Sequence, residues 1–396
     1  MRTLSIYIHI PFCVKKCRYC DFLSFPAREE EQRRYVQALL TEIRTEAGKY
    51  ADCIVDSVFI GGGTPSVLPM ELSEEIMACL KSLFRFSGTP ETGGREPEIT
   101  AEINPGTVDK EKLERYKRAG INRISIGTQS VHDRELAYLG RIHKAEDFFR
   151  TYRMVREAGF TNINVDLMAA LPGQTLDSYA DNLERIVRLE PSHISAYSLI
   201  IEEGTPFYEI YGEGSGGEGS SGEEAVLPLP TEEEEREMDM FTESFLRERG
   251  YYRYEISNYA LPGMECRHNI GYWTRRNYVG FGLGAASMAD NVRWKNLTDM
   301  EQYMQRILSG CGTVQEHVVQ LSRQEQMEEF MFLGLRLTEG VTRQAFRDTF
   351  GSDPEEIYGK ALHKLCGQGL LETGESIRLT SLGRDVSNYV MAEFLF

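Results

Sequence analysis

Six apolar, strand-like runs in series constrain the fold of this chain more than any other feature, because a segment of helical spacing lies between each run and the next. The runs cover residues 4–10, 57–60, 98–103, 123–127, 162–167 and 193–200. Between them apolar side chains recur at intervals of three and four, as at residues 35–43, 113–119 and 179–187. Strand–helix units repeated in this way predict an α/β fold built on a parallel sheet.

The strand-like runs end in polar residues. These are His9, Thr64, Glu102, Gln129 and Asp166. Because the carboxyl ends of parallel strands meet at one rim, the pattern predicts a barrel or partial barrel with a site at that rim. A doubly wound sheet is the alternative.

Length and charge limit the class of protein. A chain of 396 residues has room for two or three domains. Its net charge of −17 argues against a partner bound mainly through phosphates, so nucleic acid is not expected. No apolar run reaches the ~18 residues of a membrane span, and the chain starts with a strand-like pattern instead of a signal sequence. We therefore expect a cytoplasmic protein that is not integral to a membrane.

Composition divides the chain into four segments. Residues 1–210 carry the barrel pattern, and residues 211–237 form an acidic insert rich in Gly, Ser and Glu. Residues 202–237 hold 12 Glu and one Arg, a composition typical of a solvated loop or disordered insert. Residues 238–320 connect to a mainly helical, winged-helix-like domain at 321–396, whose net charge of −4 argues against DNA binding.

Three cysteines, Cys13, Cys17 and Cys20, follow the first strand within eight residues. Three ligands are one too few for a closed structural zinc site. A [4Fe–4S] cluster fits better, because three irons take cysteine and the fourth stays open for another ligand. Basic residues beside the cysteines would offset the negative charge of the cluster: Lys15, Lys16 and Arg18.

This CX3CX2C spacing resembles that of the radical S-adenosylmethionine superfamily, in which the methionine part of the cofactor chelates the open iron. Further segments resemble the oxygen-independent coproporphyrinogen III oxidase family in order and spacing: residues 7–13, 61–65, 101–105, 127–130 and 166–175. The resemblance is close over residues 1–210 and looser over most of 238–396. It implies a partial (β/α)6 barrel.

Residue chemistry agrees with the cofactor roles that the resemblance implies. Gly61–Gly63 would let the backbone approach a ligand without a Cβ clash, and carboxylate and amide side chains suit hydroxyl or ammonium groups. The arginine of the set, Arg141, suits a carboxylate. By resemblance, nine residues bind S-adenosylmethionine: Tyr7, Gly62, Gly63, Thr64, Glu102, Gln129, Arg141, Asp166 and Ile200.

Two departures separate the chain from the oxidase pattern. The oxidases carry CX3CX2CXC, whereas Phe22 stands here at the position of the fourth cysteine. They also carry a longer segment before the cluster loop than the twelve residues before Cys13. Instead, residues 266–273 resemble the HNXXYW signature of the haem-chaperone branch of the same family.

In that signature His268 is the predicted ligand of haem iron, because a neutral imidazole is a common axial ligand. Asn269 could orient the ring, and Tyr272 and Trp273 could pack against a porphyrin face. Cys266 is either a second, thiolate ligand or a core thiol. The resemblance thus implies a [4Fe–4S] cluster, S-adenosylmethionine and haem as bound groups. It also implies a haem-acceptor protein as partner, with a respiratory haem protein of the membrane as one candidate.

Three functions are compatible with these residues. The leading interpretation is a haem chaperone that keeps a radical S-adenosylmethionine cluster, and the alternative is a coproporphyrinogen III oxidase. A winged-helix interaction protein with a vestigial barrel would require degenerate cofactor residues, which the chain does not have. The remaining cysteines are predicted to be structural: Cys53, Cys79, Cys311 and Cys366. The glycine-rich run 280–284 is predicted to form a turn that lines the porphyrin cleft.

Overall fold

A parallel sheet forms the centre of the molecule. The computed structural model describes residues 2–212, 226–310 and 312–396. Six parallel strands lie side by side in the order of the chain: β1 (Arg2–Ile10), β2 (Cys53–Gly62), β4 (Glu98–Ile103), β5 (Arg123–Gln129), β6 (Asn162–Ala169) and β7 (His193–Ser198). A two-residue strand, β3 (Arg85–Phe86), pairs with β2. A doubly wound sheet reverses its strand order at a switch point, whereas this one does not. The predicted partial barrel is confirmed and the doubly wound alternative is wrong.

Helices cover one face of this sheet. They are α1 (Glu29–Glu46), α2 (Met70–Leu83), α3 (Lys110–Arg118), α5 (Ala145–Glu157) and α6 (Leu176–Val187). Two short helices, α4 (Asp133–Tyr138) and α7 (Pro206–Tyr211), pack instead in a separate apolar cluster with Leu171. Successive side chains of a strand point to opposite sides of the sheet, so apolar side chains can face the helices while polar ones face the other side. On β5, Ile124 and Ile126 belong to the hydrophobic core. Arg123 and Ser125 face the central cavity instead. The barrel interior is therefore polar.

Residues 238–320 extend both edges of the sheet. At the β7 edge lie β9 (Asn258–Ala260) and β8 (Tyr252–Arg253), and beside β1 lie β10 (Tyr278–Phe281), β11 (Ala286–Ala289), β12 (Val292–Asn296) and β13 (Gln315–Gln320). Only β10 is parallel to its barrel neighbour β1. The same region holds α8 (Glu232–Arg247), α9 (Arg267–Trp273) and α10 (Met300–Ser309). The sequence pattern did not predict these short strands.

The described ends of the acidic insert are tied to the barrel. Tyr211 Oη donates to the Leu227 carbonyl at 2.7 Å, and the Gly173 N–H donates to the Pro228 carbonyl at 2.7 Å. Helix α8 begins at Glu232, within the segment 211–237. The predicted loop at 213–225 and Cys311 lie outside the described residues. The division into four segments stays a prediction.

The C-terminal part has its own small core and is mainly helical. Its elements are α11 (Arg323–Gly334), β14 (Val341–Thr342), α12 (Arg343–Phe350), α13 (Pro354–Gly367), β15 (Leu371–Thr373), β16 (Ser376–Leu379), α14 (Ser381–Asp385) and α15 (Ser387–Ala392). Phe346, Leu365 and Phe394 are buried at its centre. The Thr338 N–H donates to the Tyr254 carbonyl at 3.0 Å, which joins this part to the barrel edge.

Within the part of the chain that the structure describes, every helix is too short or too polar to cross a membrane.

Candidate functional site

A cavity of about 460 Å³ opens at the carboxyl ends of the barrel strands. Its size falls in the range of small-molecule sites, roughly 300–1,000 Å³. Cys13, Cys17 and Cys20 all line it, and all three are partly exposed and free. The cysteines that follow the first strand thus lie at the rim, as the sequence predicts for a site of this fold.

Local hydrogen bonds hold the cysteine loop against the rim. The Cys13 N–H donates to the Phe25 carbonyl at 3.1 Å. The Cys13 thiol lies 3.3 Å from Thr64 Oγ1, and Arg141 Nη1 donates to Cys17 Sγ at 3.7 Å. Burial is the main cause that raises the pKa of the Cys20 thiol. The thiols therefore face the cavity within a fixed framework.

The arrangement of the thiols fits a cluster better than a single ion. Among residues 2–212, 226–310 and 312–396, no three His, Cys, Asp or Glu side chains converge on one ion position. A cubane needs no such convergence, because each cysteine binds a different iron. Lys15 and Lys16 line the cavity as expected, whereas the Arg18 guanidinium lies 5.6 Å from the ring centre of Tyr138.

Glycines after β2 form a cradle that a larger residue would fill. A Cβ at Gly63 would lie 2.7 Å from the Phe12 carbonyl oxygen and 3.0 Å from Cys13 Sγ. Gly62 has a φ of +116°, a backbone conformation that side chains other than glycine rarely adopt. The two glycines therefore let the backbone pack closely against β1 and the cluster loop while lining the cavity, and their predicted role in cofactor binding stays a prediction.

Two half-buried carboxyl groups face the same cavity. Glu102 Oε2 accepts the Gly62 N–H at 3.1 Å, and Asp166 Oδ1 accepts from Asn164 Nδ2 at 2.7 Å. Burial raises the pKa of Glu102 to about 8, and the nearby charge of Asp166 adds to the rise. Burial likewise raises the pKa of Asp166. A cationic or hydroxyl-bearing ligand would relieve this desolvation, as both carboxyl groups lack a direct cationic partner in the described chain.

Arg141 lies between the cysteine loop and the strand ends. Its Nη2 donates to Asn104 Oδ1 at 2.8 Å and also to the Gly127 carbonyl, while its buried Nε has no partner among the described residues. Asn104 also donates to Thr64 Oγ1 at 2.8 Å. Sequence reasoning did not assign Asn104 to the site, although it lies in the segment 101–105 that carried the resemblance.

Gln129 marks the end of β5 with a strained backbone. Its φ is +66°, and the pairing of β5 with β6 shifts register at this point. The turn brings Gln129 Oε1 within 2.8 Å of Tyr197 Oη, which donates to it. Strain of this kind costs about 1–3 kcal/mol and is typical of functional sites.

Seven of the nine residues that the resemblance assigns to S-adenosylmethionine line this cavity, and Tyr7 and Ile200 do not. Tyr7 Oη lies 3.0 Å from His9 Nδ1, and its ring stacks on Phe59, which lines the cavity. Ile200 lies beyond β7 with 67 % of its surface exposed. The assignment of all nine to the cofactor stays a prediction.

Helix α9, which carries the HNXXYW signature, forms part of the cavity wall. Asn269 and Trp273 line the cavity, whereas His268 is buried behind it. His268 Nδ1 lies 3.1 Å from Ser57 Oγ and Nε2 lies 3.0 Å from Tyr272 Oη. Burial lowers the pKa of His268 to about 3, so the ring is neutral near pH 7.

The hydrogen bonds around His268 indicate its tautomer. Ser57 Oγ donates its own hydrogen to Ser5 Oγ at 2.9 Å, so we assign the His268 Nδ1–H as donor to Ser57. Nε2 then accepts from Tyr272 and carries the free electron pair that an iron ligand needs. Ligation would require Tyr272 Oη to move aside.

Cys266 is fully buried, and its thiol donates to Glu98 Oε1 at 3.5 Å. Burial raises the pKa of Cys266 to about 12, so the group is a neutral thiol at pH 7. Both proposed roles of Cys266 stay predictions. Residues 280–284, in contrast, do not line the cavity. Gly280 lies in β10 beside Tyr7, and the predicted turn is present after it at residues 282–285, but this turn does not line the cavity.

A partial barrel with three cysteines after its first strand, and a glycine cradle after the second, defines a radical S-adenosylmethionine protein. The family model "Radical SAM superfamily" matches residues 7–186, and the model "HemN C-terminal domain" matches residues 321–386. The fold is shared with coproporphyrinogen III oxidase (HemN) from Escherichia coli. The two structures have a TM-score of 0.83 at 24% identity over 99% of this chain and 90% of that one.

Similar curated proteins cover the whole chain. The chain is 36% identical to "Heme chaperone HemW" of Bacillus subtilis over 99% of both proteins. It is 32% identical to "Heme chaperone HemW" of Escherichia coli over 99% of this chain and 98% of that protein. The chain belongs to the family of these HemW proteins.

Proposed function

We propose that this chain is a haem chaperone: it binds haem, holds a [4Fe–4S] cluster with S-adenosylmethionine, and delivers the haem to an acceptor protein. One observation carries the proposal most directly. Asn269 and Trp273 of α9 line the same cavity as Cys13, Cys17 and Cys20. The signature helix and the cluster loop therefore serve one site. Full-length similarity to proteins named for haem delivery supports the same conclusion.

The residues of the rim supply what the cofactors require. Cys13, Cys17 and Cys20 would hold the cluster, and Gly62 and Gly63 would leave room for the methionine part of the cofactor. A bound cluster supplies one-electron reduction of the sulfonium. The chain's own contribution is to position both groups and to surround them with fixed polar contacts.

Glu102 and Asp166 would accept from ribose hydroxyls or the amino group, and Arg141 would donate to the carboxylate of S-adenosylmethionine. Arg141 is well placed for this, because its Nη1 already contacts Cys17 and its Nε has no partner in the described chain.

His268 would ligate haem iron through Nε2. A neutral imidazole is the ligating form, and burial keeps this ring neutral. Because Tyr272 Oη covers Nε2 at 3.0 Å, haem binding would have to displace this hydroxyl. Iron and hydroxyl then compete for one nitrogen.

Phe22 separates this proposal from the oxidase alternative. Phe22 stands where the oxidases have a fourth cysteine. Its side chain lines the cavity and is 63 % exposed. A paired assay of reconstituted protein tests the proposal: haem titration under anaerobic conditions, and conversion of coproporphyrinogen III. We expect haem binding without decarboxylation. Decarboxylation without haem binding would support the oxidase.

We further propose that the acceptor is a haem protein, a respiratory haem protein of the membrane being one candidate, and that the chaperone works in the cytoplasm. Transfer of haem from the loaded chain to an apoprotein, followed by absorption spectroscopy, tests the first point. Cell fractionation tests the second.

A further inference from the structure

Arg123 is a buried cation without a bonded partner. It is the first residue of β5, so it lies at the end of the barrel interior opposite the cysteine loop. Only 2% of its surface is exposed, and it lines the cavity. In the described chain its side chain forms no ion pair, and its buried Nε has no hydrogen-bond partner. Burial of a guanidinium is costly, and the nearby charges of Glu98 and Asp166 offset that cost only from a distance, so its N–H donors remain open to an anion.

A second guanidinium lines the same cavity. Arg336 comes from the C-terminal part and lies 4.4 Å from the ring centre of Trp273. The buried Nε of Arg336 and the indole Nε1 of Trp273 likewise lack hydrogen-bond partners in the described residues. Three strong donors from three parts of the chain, β5, α9 and the segment after α11, thus line one cavity, and no carboxyl group of the described cavity wall forms a hydrogen bond with them.

Neighbouring carboxylates do not fill this role. Glu255 lines the cavity, but its Oε1 accepts from the Ser257 N–H at 3.1 Å and from the Asn258 side-chain amide. Glu98 accepts the N–H groups of Arg267 and His268, each at 3.2 Å. Glu98 and Glu255 lie too far from Arg123 and Arg336 to form an ion pair with either arginine. They offset the positive charge of the arginines only from a distance.

We propose that Arg123, Arg336 and the Trp273 N–H form a carboxylate-binding site at the inner end of the cavity, and that it takes a propionate side chain of the tetrapyrrole. The second half of this statement rests on the proposed function. A guanidinium presents parallel N–H donors that match the two oxygens of a carboxylate. The stacking of Arg336 on Trp273 fixes that fork before the ligand arrives, which lowers the entropic cost of binding.

The proposal gives α9 a second role in recognition. His268 would bind the metal, whereas Trp273 would hold the cation that binds the side-chain carboxylate. The two roles can be separated, because an iron-free porphyrin has the carboxylates but no metal. The probe is therefore protoporphyrin IX, compared with its dimethyl ester.

Titration of the reconstituted full chain with both probes, followed by fluorescence, tests the site. We expect the free acid to bind about tenfold tighter or more, the effect of one hydrogen bond to a charged group. Arg123→Gln and Arg336→Gln should each bring the free acid down to the affinity of the ester. Arg336 is less buried than Arg123, so Arg336→Gln tests the site with less disturbance of the fold. Arg188→Gln, at an exposed helical position, is the matched control.

Thermal unfolding with glutarate, a small dicarboxylate, separates the site from the proposed function. At fixed ionic strength glutarate should raise the Tm of the wild type and of Arg188→Gln, but not of the two cavity variants. A glutarate effect without protoporphyrin binding would keep the carboxylate site and overturn the propionate assignment, and a separate titration with ferric haem decides the haem function. Equal binding of acid and ester, with no glutarate effect, would overturn the site and leave the haem function intact. If neither protoporphyrin nor glutarate has an effect, the site is overturned, and the ferric haem titration alone decides the haem function.

Discussion

The carboxylate of Glu98, at the start of β4, accepts the backbone N–H of His268, in the first turn of α9, at 3.2 Å. It also accepts the Arg267 N–H at 3.2 Å, and the Cys266 thiol donates to it at 3.5 Å. The N-cap residue of α9 is Cys266, whose side chain makes no capping hydrogen bond. A carboxylate from a barrel strand thus caps the signature helix, and its charge suits the positive end of the helix dipole.

Glu98→Gln should therefore weaken the N-terminal capping of α9 and destabilise the protein. The amide keeps the shape of the side chain but loses the charge and one acceptor, and we expect a loss of ~1–3 kcal/mol in the free energy of unfolding. Urea unfolding of the reconstituted protein measures this loss. Glu96→Gln, at an exposed position two residues earlier, is the control and should match the wild type. If the two variants are equally stable, the capping role of Glu98 is refuted.

Single alanine substitutions of Cys13, Cys17 and Cys20 should each abolish or strongly reduce cluster assembly. The reason is that each thiol supplies one of only three protein ligands. Iron and sulfide analysis after anaerobic reconstitution should give about four of each for the wild type and much less for the variants. Cys366→Ala, outside the site, should behave as the wild type. A triple alanine variant that keeps its cluster would contradict the ligand assignment.

The intact protein should not convert coproporphyrinogen III, even with its cluster and S-adenosylmethionine in place. Phe22 stands where the oxidases have a fourth cysteine, and it lines the cavity mouth. Product analysis under reducing, anaerobic conditions checks this expectation. An electron paramagnetic resonance spectrum that changes on addition of S-adenosylmethionine shows that the cofactor site is competent, so that a negative result is informative. Robust decarboxylation would favour the oxidase.

His268→Ala should remove the imidazole signature from the haem spectrum or weaken haem binding until the haem is lost. Tyr272→Phe should have the opposite effect, because it removes the hydroxyl that lies 3.0 Å from Nε2. Absorption titration with ferric haem measures both.

Two controls accompany these variants. Cys266→Ala tests for a thiolate ligand, and His143→Ala removes a buried histidine outside the signature. Cluster content should be unchanged for the variants of Cys266, His268 and Tyr272, because no hydrogen bond or ring contact in the described chain joins these side chains to the cysteine loop. His143 lines a small pocket together with Cys17, so its variant is compared by the haem spectrum alone. A His268 variant with the wild-type spectrum and affinity would show that the signature only packs the helix.

The repeated strand–helix pattern predicted an α/β fold on a parallel sheet, the family resemblance selected the partial barrel, and the helical spacing after residue 321 predicted the helical C-terminal part. Core and cavity positions alternate along most of each barrel strand, so the apolar residues show in the sequence, as Leu4, Ile6 and Ile8 do. The alternation breaks in β2, where the core positions change from Val55 to Val58 beside a register shift. The edge strands β8 to β13 could not be predicted in this way. Each has two to six residues, too few for a period to emerge, and tertiary pairing decides their conformation.

Motifs at strand ends allowed the sequence to predict which residues lie together at the rim, whereas other positions gave no such signal. Seven of the nine residues assigned to S-adenosylmethionine share one cavity, because parallel strand ends meet at one rim. Arg123 and Arg336 were missed, since nothing local distinguishes a buried arginine that faces a cavity from one in a salt bridge. The burial of His268 behind the cavity wall also depends on Ser57 and Tyr272, which no spacing rule connects.

Glu42 should make stability depend on pH. This buried carboxyl group accepts from Tyr303 Oη at 2.6 Å, Asn296 Nδ2 at 2.6 Å and the Gly282 N–H at 2.9 Å, yet burial outweighs these bonds and raises its pKa from 4.5 to about 7. Between these two values the folded state holds a proton that the unfolded state has lost. The contribution of Glu42 to the free energy of unfolding is therefore fully present below pH ~4.5. About 3 kcal/mol of this contribution is lost as the pH rises to ~7.

Glu42→Gln removes this titration, so the difference in unfolding free energy between wild type and variant should change with pH across that window. The variant is expected to be less stable than the wild type at pH 5, and to lose part of that deficit by pH 8. Urea unfolding at half-unit pH steps measures the difference directly. Glu75→Gln, at an exposed position on α2, is the control, and its difference from the wild type should stay flat. A flat difference for Glu42→Gln as well would mean that Glu42 is already ionised in the folded protein at pH 5.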